Sequence, residues 1–326
     1  MLTKRQNLME TIKGGQPDRF VNQYEFLELI REAPKEAFMT PKGTEVKNAW
    51  GITIRWPEGQ IGSFPVHDHG HKVLQDITKW REYVKAPAVD YPAERWTEAI
   101  AHAKAVDRDE KFVTAFVTPG IFELTHYLMG MEDALMSYYE EPEAMHELID
   151  YLTEYELQYA QQLIDNLHPD ALFHHDDWGS QISSFMSPET FKEFILPAYK
   201  KIYGFYKDNG VELIVHHSDS YGVNLVPFMI EMGIDIWQGV MNTNNIPELI
   251  KEYGGQISFM GGLHSGEIDF PDWTPEIVME HVERACKECG KHYFIPNLSQ
   301  GAPISSFPGV YEATSEAIDK MSAELF

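Results

Sequence analysis

The sequence predicts an α/β fold of the (β/α)8 type, a distorted TIM-like barrel, on three observations. Helical stretches closed by Gly alternate with short apolar runs: Asn209-Gly210 before 211–216, Gly233 before 234–237, Gly254-Gly255 before 257–260 and Gly290 before 293–295. That order is the grammar of parallel βαβ units. Two apolar runs end abruptly in imidazoles and carboxylates, as barrel strands do where they open onto a site. No G-x-G-x-x-G or G-x-x-x-x-G-K-[ST] turn is present, which argues against an open dinucleotide-binding sheet.

Taken in order, residues 3–13 read as a short amphipathic helix closed by Gly14-Gly15, and a first strand is expected near 20–25. Segment 35–90 carries turn formers and scattered aromatics (Trp50, Trp56, Phe64, Trp80) with no sustained period. It reads as an irregular cap inserted in a single domain spanning 1–326, with a hairpin around 51–56. Regular alternation starts at 91: helix 92–107, strand 112–117, helices around 121–139 and 142–167, strand 171–175. Ser187-Pro188 then opens a helix with Ser as N-cap and Pro at N1. Strand 211–216, helix 222–232, strand 234–237, helix 246–253, strand 257–260, helix 275–289, strand 293–295 and a last helix 309–324 complete the chain. Seven strands are legible; an eighth is not.

Composition narrows the function. Over 326 residues, 26 basic against 51 acidic side chains give a net charge of −25. Such a surface disfavours nucleic acid, whose binders carry basic stripes, and anionic membranes. No run approaches the roughly 18 apolar residues of a membrane span. Met1-Leu2-Thr3-Lys4-Arg5 leads into a polar helix without a secretory apolar core. Cys286 and Cys289 are the only cysteines, too few for a disulfide framework. A cytoplasmic protein is expected.

The candidate site follows from the strand ends. Ile214-Val215-His216-His217-Ser218-Asp219 delivers His217 and Asp219 to one side by the period of two, with His216 and Ser218 on the other. His217 and Asp219 are thus the expected metal ligands; a structural His–carboxylate pair is the simpler alternative. The earlier run Phe173-His174-His175-Asp176-Asp177-Trp178 offers His175, Asp176 and Asp177 as catalytic groups, with either set of alternating residues facing inward. Buried carboxylates and imidazoles this dense need a cation or a polar substrate as partner. Trp178, Gln181, Asn242, His264, Asn297 and Gln300, at or just past strand ends, are expected to orient substrate. Cys286-x-x-Cys289 fits a helix core stripe better than a metal site. His67-Asp68-His69-Gly70-His71 lies in the irregular cap and is at most part of a lid.

These residues resemble the uroporphyrinogen decarboxylase superfamily across essentially the whole chain. The resemblance runs through Arg5 to Pro17-Asp18-Arg19, Trp50-Gly51, Asp176-Asp177-Trp178-Gly179, the His217 strand end, Met260-Gly261-Gly262-Leu263, and Asn297 to Pro308. It implies a distorted (β/α)8 barrel and one of two chemistries. Heme-pathway decarboxylases carry an Arg-Gln-Ala-Gly-Arg signature near the N-terminus; residues 19–31 hold only Arg19 and Arg31, without that sequence. The other branch moves methyl groups to or from a thiol or a corrinoid protein. Its thiol-using members bind zinc through His-x-Cys and a later cysteine; here His217 matches the histidine, Asp219 stands at the first cysteine, and Ser299 or Gln300 lies near the second. A harder site suits an oxygen leaving group. The resemblance therefore implies an O-demethylase methyltransferase using zinc, a methoxylated aromatic donor and a partner corrinoid protein, with a homodimer also expected. Trp50, Trp56, Trp178, Trp237 and Phe185 would stack the donor ring. The alternative is decarboxylation of an aromatic or tetrapyrrole acid.

Overall fold

Helix α1 (Lys4–Lys13) begins where the Thr3 side chain accepts from Gln6 N–H and Gln6 answers to Thr3 N–H, a capping box, and ends at Gly14 with φ +66°. The computed structural model describes residues 1–60 and 62–326; Ile61, within the expected cap, lies outside the described residues. After α1 come β1 (Leu27–Ile30), β2 (Glu45–Lys47), β3 (Thr53–Arg55), β4 (Phe64–Pro65), α2 (Trp80–Tyr83), α3 (Thr97–Ala105) and β5 (Phe112–Val117). Helices α4 (Ile121–Met129), α5 (Met131–Glu140) and α6 (Pro142–Leu167) lead to β6 (Ala171–His175), followed by α7 (Pro188–Asp208) and β7 (Leu213–His217). The remainder is α8 (Val226–Met232), β8 (Ile236–Val240), α9 (Ile246–Tyr253), β9 (Ser258–Leu263), α10 (Ser265–Ile268), α11 (Pro275–Cys289), β10 (Phe294–Leu298) and α12 (Val310–Leu325).

Seven strands form one parallel sheet in the order β1-β5-β6-β7-β8-β9-β10, each joined to the next through helices, as a barrel requires. The first strand lies at Leu27–Ile30 rather than 20–25; Phe20, Val21 and Phe26 are apolar and buried but precede it. Segment 35–90 contributes a separate three-stranded antiparallel sheet, β2-β3-β4, whose first hairpin pairs Lys47 with Thr53. The expected hairpin is there, shifted toward the N-terminus.

Leu27, Phe112, Ala171, Leu213, Val215, Ile236, Met260 and Ile295 point into the lumen of the curled sheet, where Leu8 of α1 joins them. The other strand faces pack on the helices. The interior is thus packed, not hollow. Only above this apolar layer do polar side chains enter, at the C-terminal strand ends. Gly239, at φ +93° on a bulge of β8, allows this close packing: a Cβ there would sit 3.0 Å from the backbone of Ser218 and Asp219.

Candidate metal and substrate site

Strands β6 and β7 run in register, pairing His174 with His216 and His175 with His217. Alternation therefore divides each histidine doublet. His175 and His217 face the lumen, stacked at 4.4 Å between ring centroids, while His174 and His216 face the helices. Asp177 continues the inner set: donor atoms of His175, Asp177 and His217 lie within 4.8 Å of one another, with His217 Nε2 3.9 Å from Asp177 Oδ1. Asp219 sits beside these three, its backbone N–H donating to Asp177 Oδ1 at 3.1 Å. Of the expected ligand pair, His217 lies in the converging set and Asp219 adjoins it through Asp177. His175 and Asp177, read as catalytic, join His217 in the converging set.

Both inner histidines are oriented from behind. His175 Nδ1–H donates to Glu123 Oε2 at 2.9 Å, and His217 Nδ1 bonds Gln238 Oε1. Gln238 in turn donates to Asn297 Oδ1 at 2.9 Å, and Tyr127 O–H donates to Glu123 Oε1 at 3.4 Å. With Nδ1 engaged, each ring leaves Nε2 to the lumen, which is how metal-ligating histidines are held.

Charge density completes the picture. Burial works against a cationic His175, but Glu123, Asp177 and Asp219 more than offset it and push its pKa up to about 10. Burial, then the positive His175, drive His217 down to about 4. Burial, then Asp177, push the Asp219 carboxyl up to about 8, and burial raises Glu123 as well. Three carboxylates crowd two imidazoles in a half-buried pocket, a deficit that a divalent cation would relieve. The residues fit zinc: bond lengths near 2.0–2.2 Å place tetrahedral donors about 3.3–3.5 Å apart, within small side-chain rotations of the separations here.

The remaining expected residues divide. A cavity of about 340 Å³ opens at these strand ends, bordered by Asp219, Gln181, His264, Ser299 and Gln300. His264 Nδ1 also accepts Gly266 N–H at 3.0 Å at the start of α10. Asn297 is fully buried behind His217 and leaves Nδ2 without a partner. Asn242 is turned toward Glu267, 3.3 Å away, and does not border the cavity.

Two groups of expected residues lie away from the converging set. Asp176 and Trp178 belong to the outward set of alternating residues, both essentially fully buried, with Trp178 stacked on His216 at 3.8 Å. Nor do the tryptophans make a stacking platform. Trp50 and Trp237 are core residues, Trp56 bonds its own loop through Gln60, and Phe185 lies on Phe122. Cys286 is buried and Cys289 packs against the core of α11, both thiols pushed up to about 12 by burial. His67 abuts His126 and Tyr127 on α4, and His71 pairs with Asp68 at 2.7 Å.

Sequence reasoning missed two features. One is Glu123, carried by the first turn of α4 beyond the end of β5; its signal was an acid just past Thr118-Pro119-Gly120. The other is a cation pair. Arg31 lies 4.8 Å and Lys35 4.2 Å from the Phe116 ring centroid. Phe116 contacts Phe173 at 5.8 Å, and Phe173 stacks on His217 at 6.1 Å. Burial, then Arg31, bring the Lys35 pKa down to about 8. Neither cation is paired with a carboxylate among the described residues, in a chain rich in acids.

The family model for uroporphyrinogen decarboxylase (URO-D) matches residues 27–321. A methylated-thiol–coenzyme M methyltransferase of Methanosarcina mazei is 27% identical over 169 residues, spanning 52% of this chain and 42% of that protein. The chain thus aligns with less than half of that relative's length. A methyltransferase from Methanosarcina mazei superposes with a TM-score of 0.69 at 14% identity, covering 98% of this chain and 99% of that one, which establishes the shared barrel fold. No described helix is long and apolar enough to cross a membrane. The chain belongs to the uroporphyrinogen decarboxylase family.

Proposed function

We propose that this chain is a methyltransferase that takes a methyl group from the oxygen of a small anionic donor, such as a methoxylated aromatic acid, and passes it to a corrinoid protein. One observation carries the reading: His175, Asp177 and His217 converge at the barrel mouth, each histidine held by a partner at Nδ1. These three would hold the metal, and the similarity to methyltransferases favours methyl transfer as the reaction. A bound zinc supplies Lewis acidity at the heteroatom that carries the methyl group. The chosen donors are nitrogen and oxygen, with no thiolate in the converging set, which favours an oxygen over a sulfur leaving group.

The chain's own residues supply the rest. Glu123 and Gln238 fix the two rings, so that the donor atoms need not reorganise during reaction. Arg31 and Lys35 would bind the donor's anionic group beside the Phe116 ring, orienting the rest of the molecule toward His217. Asp219, which adjoins Asp177 and borders the cavity, would hand a proton to the departing oxygen. A cation at Asp177 would make Asp219 a stronger acid, suited to protonating a phenolate as it forms.

The test is methyl transfer to free cob(I)alamin, followed by its visible spectrum. Methoxybenzoates are expected to be better donors than methyl sulfides; preference for the sulfides would overturn the oxygen assignment. Decarboxylation of an aromatic or tetrapyrrole acid is the second reading, favoured by the unpaired Arg31 and Lys35. Release of CO₂ without methyl transfer would establish it instead.

A further inference from the structure

The outer members of the histidine doublets belong to a buried polar layer that no step above uses. His216 Nε2–H donates to the Asp176 carbonyl at 3.1 Å, so its Nδ1 accepts from Tyr203 O–H at 2.7 Å. Tyr203 oxygen is then free to accept from His174 Nδ1–H at 3.0 Å. His174 Nε2 faces Glu156 Oε1 at 2.9 Å. The direction of donation is thus fixed along the chain of groups, starting from one backbone carbonyl.

Asp176 is the hub of this layer. Its carboxylate accepts from four donors: Phe122 N–H at 3.0 Å, Glu123 N–H at 2.8 Å, Trp178 Nε1–H at 2.9 Å and Tyr199 O–H at 2.5 Å. Tyr199 oxygen accepts Ile121 N–H at 3.1 Å. The first turn of α4 is therefore seated on one side chain, satisfying amides that otherwise lack partners. Gly120 makes the approach possible, since a Cβ there would fall 2.4 Å from Asp176 Cβ and 2.3 Å from Tyr199 Oη. That same turn carries Glu123, whose carboxylate crosses to the lumen side and bonds His175.

We propose that Asp176 is a positioning residue acting through Glu123: it fixes the turn of α4 that sets the carboxylate against His175. The proposal builds on the reading of His175, Asp177 and His217 as a metal centre. An aspartate adjoining two inner residues thus faces away from the chemistry and governs it through another element.

The experiment compares wild type, Asp176→Asn, Glu123→Gln, their double variant and His217→Ala. Each is loaded with Zn²⁺ and its release into excess chelator is timed; the metal-free forms are examined by NMR for the hydrogen-bonded Nδ1–H of His175. Loss of a partner behind a metal ligand typically costs 10- to 100-fold in affinity, so Asp176→Asn is expected to speed release about tenfold or more. Because it acts through Glu123, the double variant should release no faster than Glu123→Gln alone, and the His175 signal should weaken in Asp176→Asn. Unchanged release and signal in a folded Asp176→Asn variant would overturn the proposal. So would independent, multiplying effects of the two substitutions. If Asp176→Asn does not fold, Tyr199→Phe, which removes one of the four donors, should shift both readouts in the same direction; no shift counts against the idea. Failure of the metal reading looks different: wild type takes up no zinc, or His217→Ala retains it, while the NMR signal still reports on the Asp176–Glu123 coupling.

Discussion

Metal uptake by the metal-free protein should depend steeply on pH, and the structure sets the size of the effect. His175 titrates at about 10, held protonated by Glu123, Asp177 and Asp219 against the effect of burial. A raised pKa means that the proton competes with the metal, so binding weakens as pH falls. At pH 7, about three units below that value, roughly one molecule in a thousand carries a neutral His175, a handicap of about 4 kcal/mol relative to high pH. His217, driven down to about 4, is already neutral and adds no dependence. The apparent association constant for Zn²⁺ should therefore rise about tenfold per pH unit from 7 to 9 and level off near 10. Competition titration against a chromophoric chelator measures the slope, and calorimetry in buffers of different ionisation enthalpy counts the protons. A flat profile, or release of no proton, would remove His175 from the ligand set and with it the argument for the site.

Other consequences are more local. Replacing Lys35 or Arg31 by Met should raise KM for an anionic donor about 10- to 100-fold with little change in kcat, the loss of one charge-assisted contact of about 1.5–3 kcal/mol. An effect on kcat alone would place these cations elsewhere in the cycle. Asp219→Asn should retain bound metal yet lower turnover about a hundredfold, the usual range for a lost general acid; loss of metal would return Asp219 to the ligands. Trp178→Ala should cost about 3–5 kcal/mol of stability, as a buried tryptophan does, and leave KM unchanged in a folded sample. A raised KM with unaltered thermal unfolding would contradict its assignment to the core.

The barrel was legible because its signals are local and repeated. Gly-closed helices such as 246–253 and 275–289 end where the sequence places them, and the histidine doublets mark strands that both run into the site. Register was harder. Residues 173–178 alternate, but alternation does not say which face is inward; the in-register pairing of β6 with β7 decides it, and that is a contact between distant segments. Asp176 looked catalytic for the same reason, since a carboxylate next to Asp177 is indistinguishable from it in one dimension. Glu123 and Lys35 were hidden differently. Tertiary packing sets both positions: Glu123 meets His175 from the turn after β5, and Lys35 lies over the Phe116 ring. The tryptophans misled because an aromatic side chain serves a core and a binding pocket equally well.

X-ray absorption at the zinc edge of the loaded, folded protein tests the central claim most directly. Two imidazoles with oxygen donors, no sulfur, and loss of the imidazole signature in His175→Ala and His217→Ala are expected. Sulfur in the first coordination sphere, or a zinc site indifferent to both substitutions, would contradict it.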